Sequence, residues 1–301
     1  MLSINIPVYN IEVVGLVKQL VAQADKLQIN YEVRVYDDGS DEIIKSINRY
    51  LLKVPNVVYI ELEKNLGRAA IRNKMGLESL YELLLFMDAD SKVVSDNYLR
   101  TYIEKFERRS VMCGGRSYNK VKPANPEKVF HWTYGNKREA ISAKTRMNGK
   151  GVFFMSNNFL MEKKVFDKLQ FREELRQYGH EDTLFGFDLV NAGYPIVHID
   201  NPLEHTGLES AQVFLKKSRL ALDNLKIINE ELIENRVAFN KQVNFNRKYN
   251  RITKLVPIRF LCFLFRKYKE KLELNLQGEK PCLFFFDLYK LGYYTHITTN
   301  C

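Results

Sequence analysis

The sequence lacks several patterns that common scaffolds and sites require. It has four cysteines among 301 residues and no Cys-x-x-Cys pair, which argues against a disulfide framework and a cysteine-rich zinc site. It has no Asn-x-Ser/Thr sequon, and its N-terminus enters a strand pattern without a charged-then-apolar leader. No apolar run reaches the roughly 18 residues of a membrane span. We therefore expect the chain to work in a reducing, cytoplasmic compartment.

Two glycine-rich phosphate-binding motifs are also missing. No GxGxxG follows the first predicted strand, and no GxxxxGK followed by Ser or Thr occurs in the chain. The turns after the first two predicted strands carry PVYN at residues 7–10 and DDGS at residues 37–40 instead. Carboxylates in such turns can accept hydrogen bonds from a base or a ribose, but they would repel a bare phosphate unless a metal ion intervened.

Apolar and basic residues are plentiful. Hydrophobic residues make up 46% of the chain, which is enough for a sizeable core, and the net charge is +10. From Lys241 to the C-terminus twelve basic residues accompany only four acidic ones, and residues 254–269 interleave them with bulky apolar side chains. This stretch can lie on an anionic membrane surface, or it can pack on the rest of the chain with its basic face in water. Because no nucleic-acid-binding motif accompanies the charge, we expect no nucleic acid partner.

Short apolar strands alternate with amphipathic helices over the first 115 residues. The predicted strands lie near residues 2–8, 31–36, 56–60 and 83–87, with helical spacing of apolar residues between them. This alternation predicts an α/β fold with right-handed βαβ units and a mostly parallel sheet. Ligands of such sheets bind beyond the carboxyl ends of the strands, where the polar turns of this sequence lie.

Asp88 and Asp90 follow the predicted buried strand at residues 83–87. Side chains two apart in an extended segment point the same way, so the pair can meet one hard cation, as a pyrophosphate leaving group requires. The alternative is that both are turn formers. Arg68 and Arg72 lie four apart on one face of a predicted helix, where they can point at a diphosphate or be ordinary solvated arginines.

Four segments, SINIPVYN, YDDGSDE, NLGRAAIRN and FMDAD, resemble in order and spacing the nucleotide-sugar half of the family 2 glycosyltransferases with the GT-A fold. The resemblance implies a Rossmann-like mixed sheet flanked by helices. It implies that Asp38 contacts the nucleobase, that Asp88 faces the ribose, and that Asp90 binds a divalent metal on the diphosphate. Further donor-binding residues expected from the same segments are Pro7, Tyr9 and Asn65.

The string GHED at residues 179–182 resembles the ED motif of family 2 enzymes and the Gly-Glu-Asp segment of the β-1,4-galactosyltransferase group. Its two acids fall in the first turn of a predicted helix, where acids are favoured in any case by the helix dipole. We expect the helix N-terminus to keep a carboxylate ionised at neutral pH, so that it can remove a proton from an acceptor hydroxyl. By the resemblance, Asp182 is this base and Glu181 holds the acceptor.

The same resemblance places a metal ligand at His205, which the residues alone would allow to be a plain loop histidine. Asp90, His205 and diphosphate oxygens together favour Mn²⁺ over Mg²⁺, because imidazole is a softer ligand. Asn157 lies in a small polar turn that the family has near the donor sugar. Trp132, in a mixed excursion over residues 119–150, can stack on a sugar face or simply pack.

The resulting prediction is a metal-dependent, inverting glycosyltransferase. It moves a sugar from a nucleoside-diphosphate donor, with UDP favoured by resemblance alone, to a glycan or lipid-linked acceptor in surface polysaccharide synthesis. We expect a GT-A domain over residues 1–210, with its nucleotide-sugar half at 1–115 and its acceptor half at 116–210, and a helical, basic extension over 211–301. The alternatives are a non-catalytic nucleotide-sugar or glycan-binding module, which the intact acids argue against, and a nucleotidyltransferase, whose Gly-rich basic loop is missing.

Overall fold

The computed structural model describes residues 1–149, 151, 153–175 and 178–299. The strands are β1 (Leu2–Val8), β2 (Tyr31–Asp37), β3 (Val57–Glu61), β4 (Leu83–Met87), β5 (Ser91–Val93), β6 (Val111–Cys113), β7 (Arg116–Ser117), β8 (Asn158–Glu162), β9 (Ile196–His198) and β10 (Leu203–His205). The helices of the first half are α1 (Val14–Leu27), α2 (Glu42–Asn48), α3 (Arg68–Glu78), α4 (Tyr98–Lys105), α5 (Val129–Tyr134) and α6 (Ala143–Met147). Those of the second half are α7 (Lys163–Phe166), α8 (Glu181–Asn191), α9 (Ala211–Ile227), α10 (Arg236–Gln242), α11 (Asn244–Thr253), α12 (Ile258–Gln277) and α13 (Leu283–Thr299).

The central sheet has seven strands in the order β3-β2-β1-β4-β8-β6-β9. The first four are parallel to their neighbours, as consecutive βαβ units require, whereas β8 runs antiparallel between β4 and β6. The predicted α/β class with a mixed sheet is therefore confirmed. The parallel strands all end at one edge, which brings the turns after β1, β2 and β4 together.

Helices cover both faces of the sheet, so the central strands are buried on both sides. Side chains alternate between the two cores: Leu85 of β4 packs with α1 and α4, whereas Phe86 packs with α3, α7 and α8. The second core is rich in aromatic rings, among them Phe86 and Phe159, which stack with centroids 4.9 Å apart. This packing holds the polar edge of the sheet on a rigid base.

A second, three-stranded sheet in the order β5-β10-β7 lies at the polar edge. Its strand β10 pairs antiparallel with β5, and His205 lies opposite Ser91 in the register. Because β5 begins one residue after Asp90, this pairing places the end of β10 beside that carboxylate. The small sheet therefore joins two parts of the chain that are more than a hundred residues apart.

Helices α9 to α13 form the predicted C-terminal extension. They share hydrophobic cores with the rest of the chain: Leu184 and Phe187 of α8 pack with α9, α10 and α13, and Phe130 of α5 packs with α9, α12 and α13. No helix within the described residues is both long enough and apolar enough to cross a membrane. Cys113 and Cys282 are free thiols.

Candidate active site

The polar edge of the central sheet opens into a cavity of about 590 Å³, here called the first cavity. Its walls are the turns after β1, β2 and β4, the start of α3, and parts of the segment that joins β10 to α9. It brings together most of the residues predicted from the sequence. Those that line it are Pro7, Tyr9, Asp38, Asn65, Arg68, Arg72, Asp88, Asp90 and Glu181.

Asp38 organises one end of the first cavity. Its two carboxylate oxygens accept hydrogen bonds from the backbone amides of Leu66 and Gly67, at 2.7 and 3.1 Å, and Asn65 donates to its backbone carbonyl at 3.0 Å. Burial raises the pKa of Asp38, and these amide donors oppose the rise. Gly67, at φ +89°, lets the loop turn into α3. Asp38 therefore shapes the loop that carries Asn65 and precedes Arg68.

Asp88 is surrounded by arginines. Arg72 lies 2.6 Å from one carboxylate oxygen, and Arg116 and Arg68 lie 3.2 and 3.7 Å from the other. The Arg72 side chain is only 2% exposed, and its guanidinium is committed to Asp88 and the carbonyl of Arg68. The sequence left Arg72 as either a diphosphate-facing arginine or an ordinary solvated one. In the structure its side chain is buried against Asp88, although it also borders the first cavity.

Arg68 connects Asp88 with Glu181. Its side chain is 42% exposed, its Nε lies 2.7 Å from Glu181 Oε1, and its guanidinium lies over the Tyr178 ring at 5.3 Å. Glu181 itself is buried and accepts a further hydrogen bond from the Gly179 amide at 3.1 Å. Arg68 is thus the exposed arginine at the junction between the predicted donor residues and the ED motif.

Asp90 and His205 lie side by side at the first cavity, where His205 is buried and the Asp90 side chain is 26% exposed. His205 Nδ1 lies 3.3 Å from Asp90 Oδ1 without hydrogen-bond geometry, and neither this oxygen nor either His205 ring nitrogen has a hydrogen-bond partner among the described residues. Burial alone would raise the pKa of Asp90, but the charges of His205, Arg116 and Arg68 lower it below its usual range. Such unsatisfied buried ligands are costly unless something binds them.

This donor set fits a divalent cation that takes its other ligands from a substrate. One carboxylate and one imidazole suit a transition-metal ion, but within the described residues no group of three or more His, Cys, Asp or Glu could hold a metal ion alone. Gly207 leaves space at this point, because a Cβ there would lie 2.6 Å from Asp90 Oδ2. A bulkier residue would displace the carboxylate.

A second cavity of about 410 Å³ adjoins the first and shares Arg68, Asp88, Tyr178 and Glu181 with it. It contains the predicted Asp182 and Asn157, with His180 and Thr183 beside them. The far wall comes from the C-terminal extension, and the residues there are Ala221, Val243, Asn244 and Phe245. Two separate molecules could therefore occupy adjoining spaces with Glu181 and Arg68 between them.

Asp182 has the electrostatic environment of a proton acceptor. Burial and the neighbouring Glu181 carboxylate raise the pKa of Asp182 to about 7, although the Thr183 amide, which donates to it at 2.6 Å, and Arg68 oppose the rise. The sequence predicts that the helix N-terminus keeps this group ionised at neutral pH. In the structure, desolvation and the adjacent acid act against the amide donor and raise the pKa of the group. A carboxyl that titrates near neutrality is well suited to general base catalysis.

The turn before α8 is held by the C-terminal extension. Gly179 and His180 both have left-handed backbone angles, with φ +102° and +65°. A Cβ at Gly179 would lie 2.5 Å from the Ala221 side chain. The side-chain amide of Asn224 donates to the Gly179 backbone carbonyl at 2.8 Å. Helix α9 therefore supports the turn that presents Glu181 and Asp182.

Of two further residues predicted to bind substrate, Trp132 lies outside both cavities and Asn157 lines the second. Trp132 lies on α5, lines neither cavity, and donates its indole N–H to the Asn119 carbonyl at 2.7 Å. Asn157 does line the second cavity, and its carbonyl accepts a hydrogen bond from the Asp88 amide at 3.2 Å. Sugar contact by Trp132 is not supported by this position.

Four residues of the site were not predicted from the sequence, namely Arg116, Tyr178, Gly207 and Lys217. Arg116 lies at the start of β7, near the same sheet edge as the acids. Tyr178 adjoins the GHED string, but Gly207 and Lys217 carry no local signal because only the long-range packing of α9 and the small sheet brings them to the first cavity.

The family model for glycosyl transferase family 2 matches residues 3–170. A poly(ribitol-phosphate) beta-glucosyltransferase of Bacillus spizizenii is 35% identical over 123 residues, which are 38% of this chain and 19% of that protein. A chondroitin synthase of Escherichia coli is 25% identical over 226 residues, which are 64% of this chain and 32% of that protein. The chain thus spans a third or less of the length of these curated relatives.

Solved structures share the fold. A mannosyltransferase from Pyrobaculum calidifontis, in complex with GDP-Man and Mn²⁺, has a TM-score of 0.59 over 99% of this chain and 87% of that one, at 12% sequence identity. The identity is too low to transfer residue roles. The likeness confirms the predicted GT-A fold.

Proposed function

This chain belongs to glycosyl transferase family 2 and is a glycosyltransferase, and we propose that it is a metal-dependent, inverting enzyme that uses a nucleoside-diphosphate sugar, with UDP favoured. One observation carries the proposal. The first cavity contains the Asp90 carboxylate beside the buried His205 imidazole, and the adjoining second cavity contains a carboxyl of pKa about 7. This is the arrangement that leaving-group stabilisation and acceptor activation require side by side.

The donor occupies the first cavity in this proposal. Tyr9 is exposed there and offers a ring for the base, Asp38 and Asn65 stand beside it, and Arg68 faces the diphosphate. Asp88, fixed by its arginines, accepts hydrogen bonds from the ribose. Asp90 and His205 would hold a divalent cation, with Mn²⁺ favoured over Mg²⁺ because of the imidazole ligand. That cation supplies neutralisation of the charge on the departing diphosphate.

The acceptor enters the second cavity. Asp182 removes the proton from its hydroxyl while the oxygen attacks the anomeric carbon, and the bond from that carbon to the diphosphate oxygen breaks. Because attack and departure lie on opposite faces, the anomeric configuration inverts. Glu181, buried and held by Arg68 and the Gly179 amide, positions the acceptor. Asn157 stands at the wall of the same cavity, near the donor sugar.

The acceptor class in this proposal is a glycan, carried on a lipid. Residues 254–269 contain five basic and no acidic residues. On α12, Phe260 and Phe263 are 51% and 55% exposed, whereas Cys262 and Phe265 face the core. Basic residues around an exposed aromatic face suit the headgroup region of an anionic membrane.

The path of the chain links this face to the acceptor site. Helix α11 begins at Asn244 in the wall of the second cavity and ends at Thr253, next to the basic segment. At 1.5 Å per residue, this helix spans only about 15 Å. We therefore propose a peripheral enzyme at the cytoplasmic face of a membrane, active in surface polysaccharide synthesis. In this proposal residues 1–210 form the catalytic domain and 211–301 support it.

Thermal stabilisation of the purified chain tests the donor proposal. UDP-, GDP- and dTDP-sugars are compared with and without Mn²⁺, in the wild type and in Asp90→Asn. We expect one nucleotide class to raise the melting temperature only with Mn²⁺, and we expect Asp90→Asn to abolish the rise. Asp96→Asn, an exposed acid six residues away, is the matched control. No stabilisation by any of the three classes at millimolar concentration would contradict the proposal.

A further inference from the structure

Lys217 reaches the first cavity from outside the sheet. It lies on α9, in the C-terminal extension, and lines the cavity together with Gly207 and Glu209. We propose that Lys217 binds the diphosphate of the donor, so that the extension supplies part of the leaving-group site. This inference rests on the proposed function and adds a positively charged donor-binding residue that lies beyond the segment matched by the family model.

The arginines near the first cavity are already paired with carboxylates. Arg72 is buried against Asp88, and Arg116 is shared between Asp88 and Glu139. Arg68 is shared between Asp88 and Glu181. Each of these arginines already faces carboxylates, at least one of which is buried or nearly so. Turning any of them wholly to a diphosphate would leave a buried acid without its partner, which is costly.

The ion pair of Lys217 is more exposed to water than the ion pairs of Arg72 and Arg116 with Asp88. Its ammonium pairs with Glu209, and the side chains of this pair are 36% and 24% exposed. Ion pairs that water reaches contribute little to stability, so exchanging Glu209 for a diphosphate costs little. An ammonium with three rotatable donors also adapts readily to phosphate oxygens. Lys217 is thus the cation of this cavity that is most available to a substrate.

The position of the ammonium supports the same conclusion. Lys217 Nζ lies over the Tyr178 ring, 4.9 Å from its centroid, and Arg68 lies over the same ring at 5.3 Å. Tyr178 lines both cavities. Because the bond that breaks must lie where the two cavities meet, the two cations beside Tyr178 stand close to the departing diphosphate.

The segment between His205 and Lys217 fixes this position relative to the metal-ligand pair. Thr206 donates its backbone amide to the Asp90 carbonyl at 2.8 Å, and Gly207 packs directly on the Asp90 side chain. Further along, the Glu209 amide donates to His131 Nδ1 at 3.0 Å. The chain is therefore anchored to the rest of the molecule before α9 begins at Ala211. Lys217 is held in place by the same segment that carries His205.

Calorimetric titration of Lys217→Ala against Lys216→Ala tests the inference. Lys216 is the neighbouring exposed lysine on the same helix and lines neither cavity. The probes are UDP, GDP and dTDP, each with Mn²⁺, and the corresponding monophosphates. Since a hydrogen bond to a charged group contributes about 1.5–3 kcal/mol, we expect Lys217→Ala to bind the preferred diphosphate roughly 10- to 100-fold more weakly. The monophosphate should be affected much less, and Lys217→Arg should recover part of the loss.

Each outcome decides a different point. Equal diphosphate affinities for Lys217→Ala and Lys216→Ala, while the wild type binds, would overturn this inference and leave the proposed function intact. An equal loss for diphosphate and monophosphate would also overturn it, because it would indicate a general distortion of the cavity. If the wild type bound none of the three diphosphates, both the inference and the proposed function would fall.

Discussion

Asp38 and Asp88 of the first cavity and Asp182 of the second lie in opposite electrostatic environments. In the first, Asp38 accepts two backbone hydrogen bonds and Asp88 is bordered by three arginines. In the second, Asp182 has an acid as its neighbour in the chain and receives one backbone hydrogen bond, so its pKa rises to about 7. Asp38 and Asp88 are thus stabilised as carboxylates before any substrate binds. The Asp182 carboxylate is poorly stabilised by comparison, as a group that accepts a proton requires.

The largest expected effect comes from Asp182→Asn, which removes the proton acceptor and keeps the oxygen that Thr183 binds. General base catalysis contributes about 100- to 10,000-fold, so we expect kcat to fall by that factor. Donor binding, measured by calorimetry, should stay within a factor of two or so, because Asp182 does not line the first cavity. If kcat were unchanged in Asp182→Asn, another residue would have to be the base.

Gly207→Ala provides the reverse test, since it disturbs only the first cavity. The added methyl would approach Asp90 Oδ2 to 2.6 Å and displace it. Changes next to metal ligands typically cost 10- to 100-fold in metal affinity, and we expect roughly that loss for Mn²⁺ in titrations with UDP present. Gly15→Ala on α1 is the matched control, because its Cβ would meet nothing within 4 Å. Unchanged Mn²⁺ affinity in Gly207→Ala would argue against Asp90 as a ligand.

The pH dependence sharpens the contrast within the second cavity. Because the base acts as the unprotonated carboxylate, kcat/KM should rise with pH through a midpoint near the Asp182 pKa of about 7. Glu181→Gln removes the adjacent negative charge and should move this midpoint to lower pH, even if the rate falls as well. Glu234→Gln, an exposed acid that lines neither cavity, should leave the profile unchanged. If Glu181→Gln had the same midpoint as the wild type, Asp182 would not be the titrating group.

The smallest effect concerns the region outside both cavities. A basic residue near an anionic membrane contributes about 1 kcal/mol, so Arg259→Ala should weaken binding to phosphatidylglycerol vesicles about fivefold. Lys26→Ala, an exposed lysine on α1, should have no effect. Co-sedimentation with vesicles of phosphatidylglycerol or of phosphatidylcholine measures both. Failure of the wild type to bind the anionic vesicles would leave the exposed face of α12 without a membrane role.

The same contrast explains which features could be predicted from the sequence. Asp38, Asp88 and Asp90 lie at the ends of strands whose order follows from consecutive βαβ units, so local periodicity was enough to bring them together. The roles of Lys217 and Gly207 depend on how α9 and β10 pack across the sheet, which no local pattern encodes. The raised pKa of Asp182 could not be predicted either, because the sequence shows the position of the residue in its helix but not its burial. For Trp132 the sequence left sugar stacking and packing open, and its position outside both cavities favours packing.

The support that α9 gives to the Gly179–His180 turn has a consequence for how such a chain can change over evolutionary time. Ala221 fits against Gly179 so closely that a side chain at Gly179 would force the two segments apart. A recombination event that joined residues 1–210 to an unrelated C-terminal sequence would remove this support from the residues that activate the acceptor. The helices after residue 210 are therefore expected to be inherited together with the GHED segment, as one unit rather than as an exchangeable module.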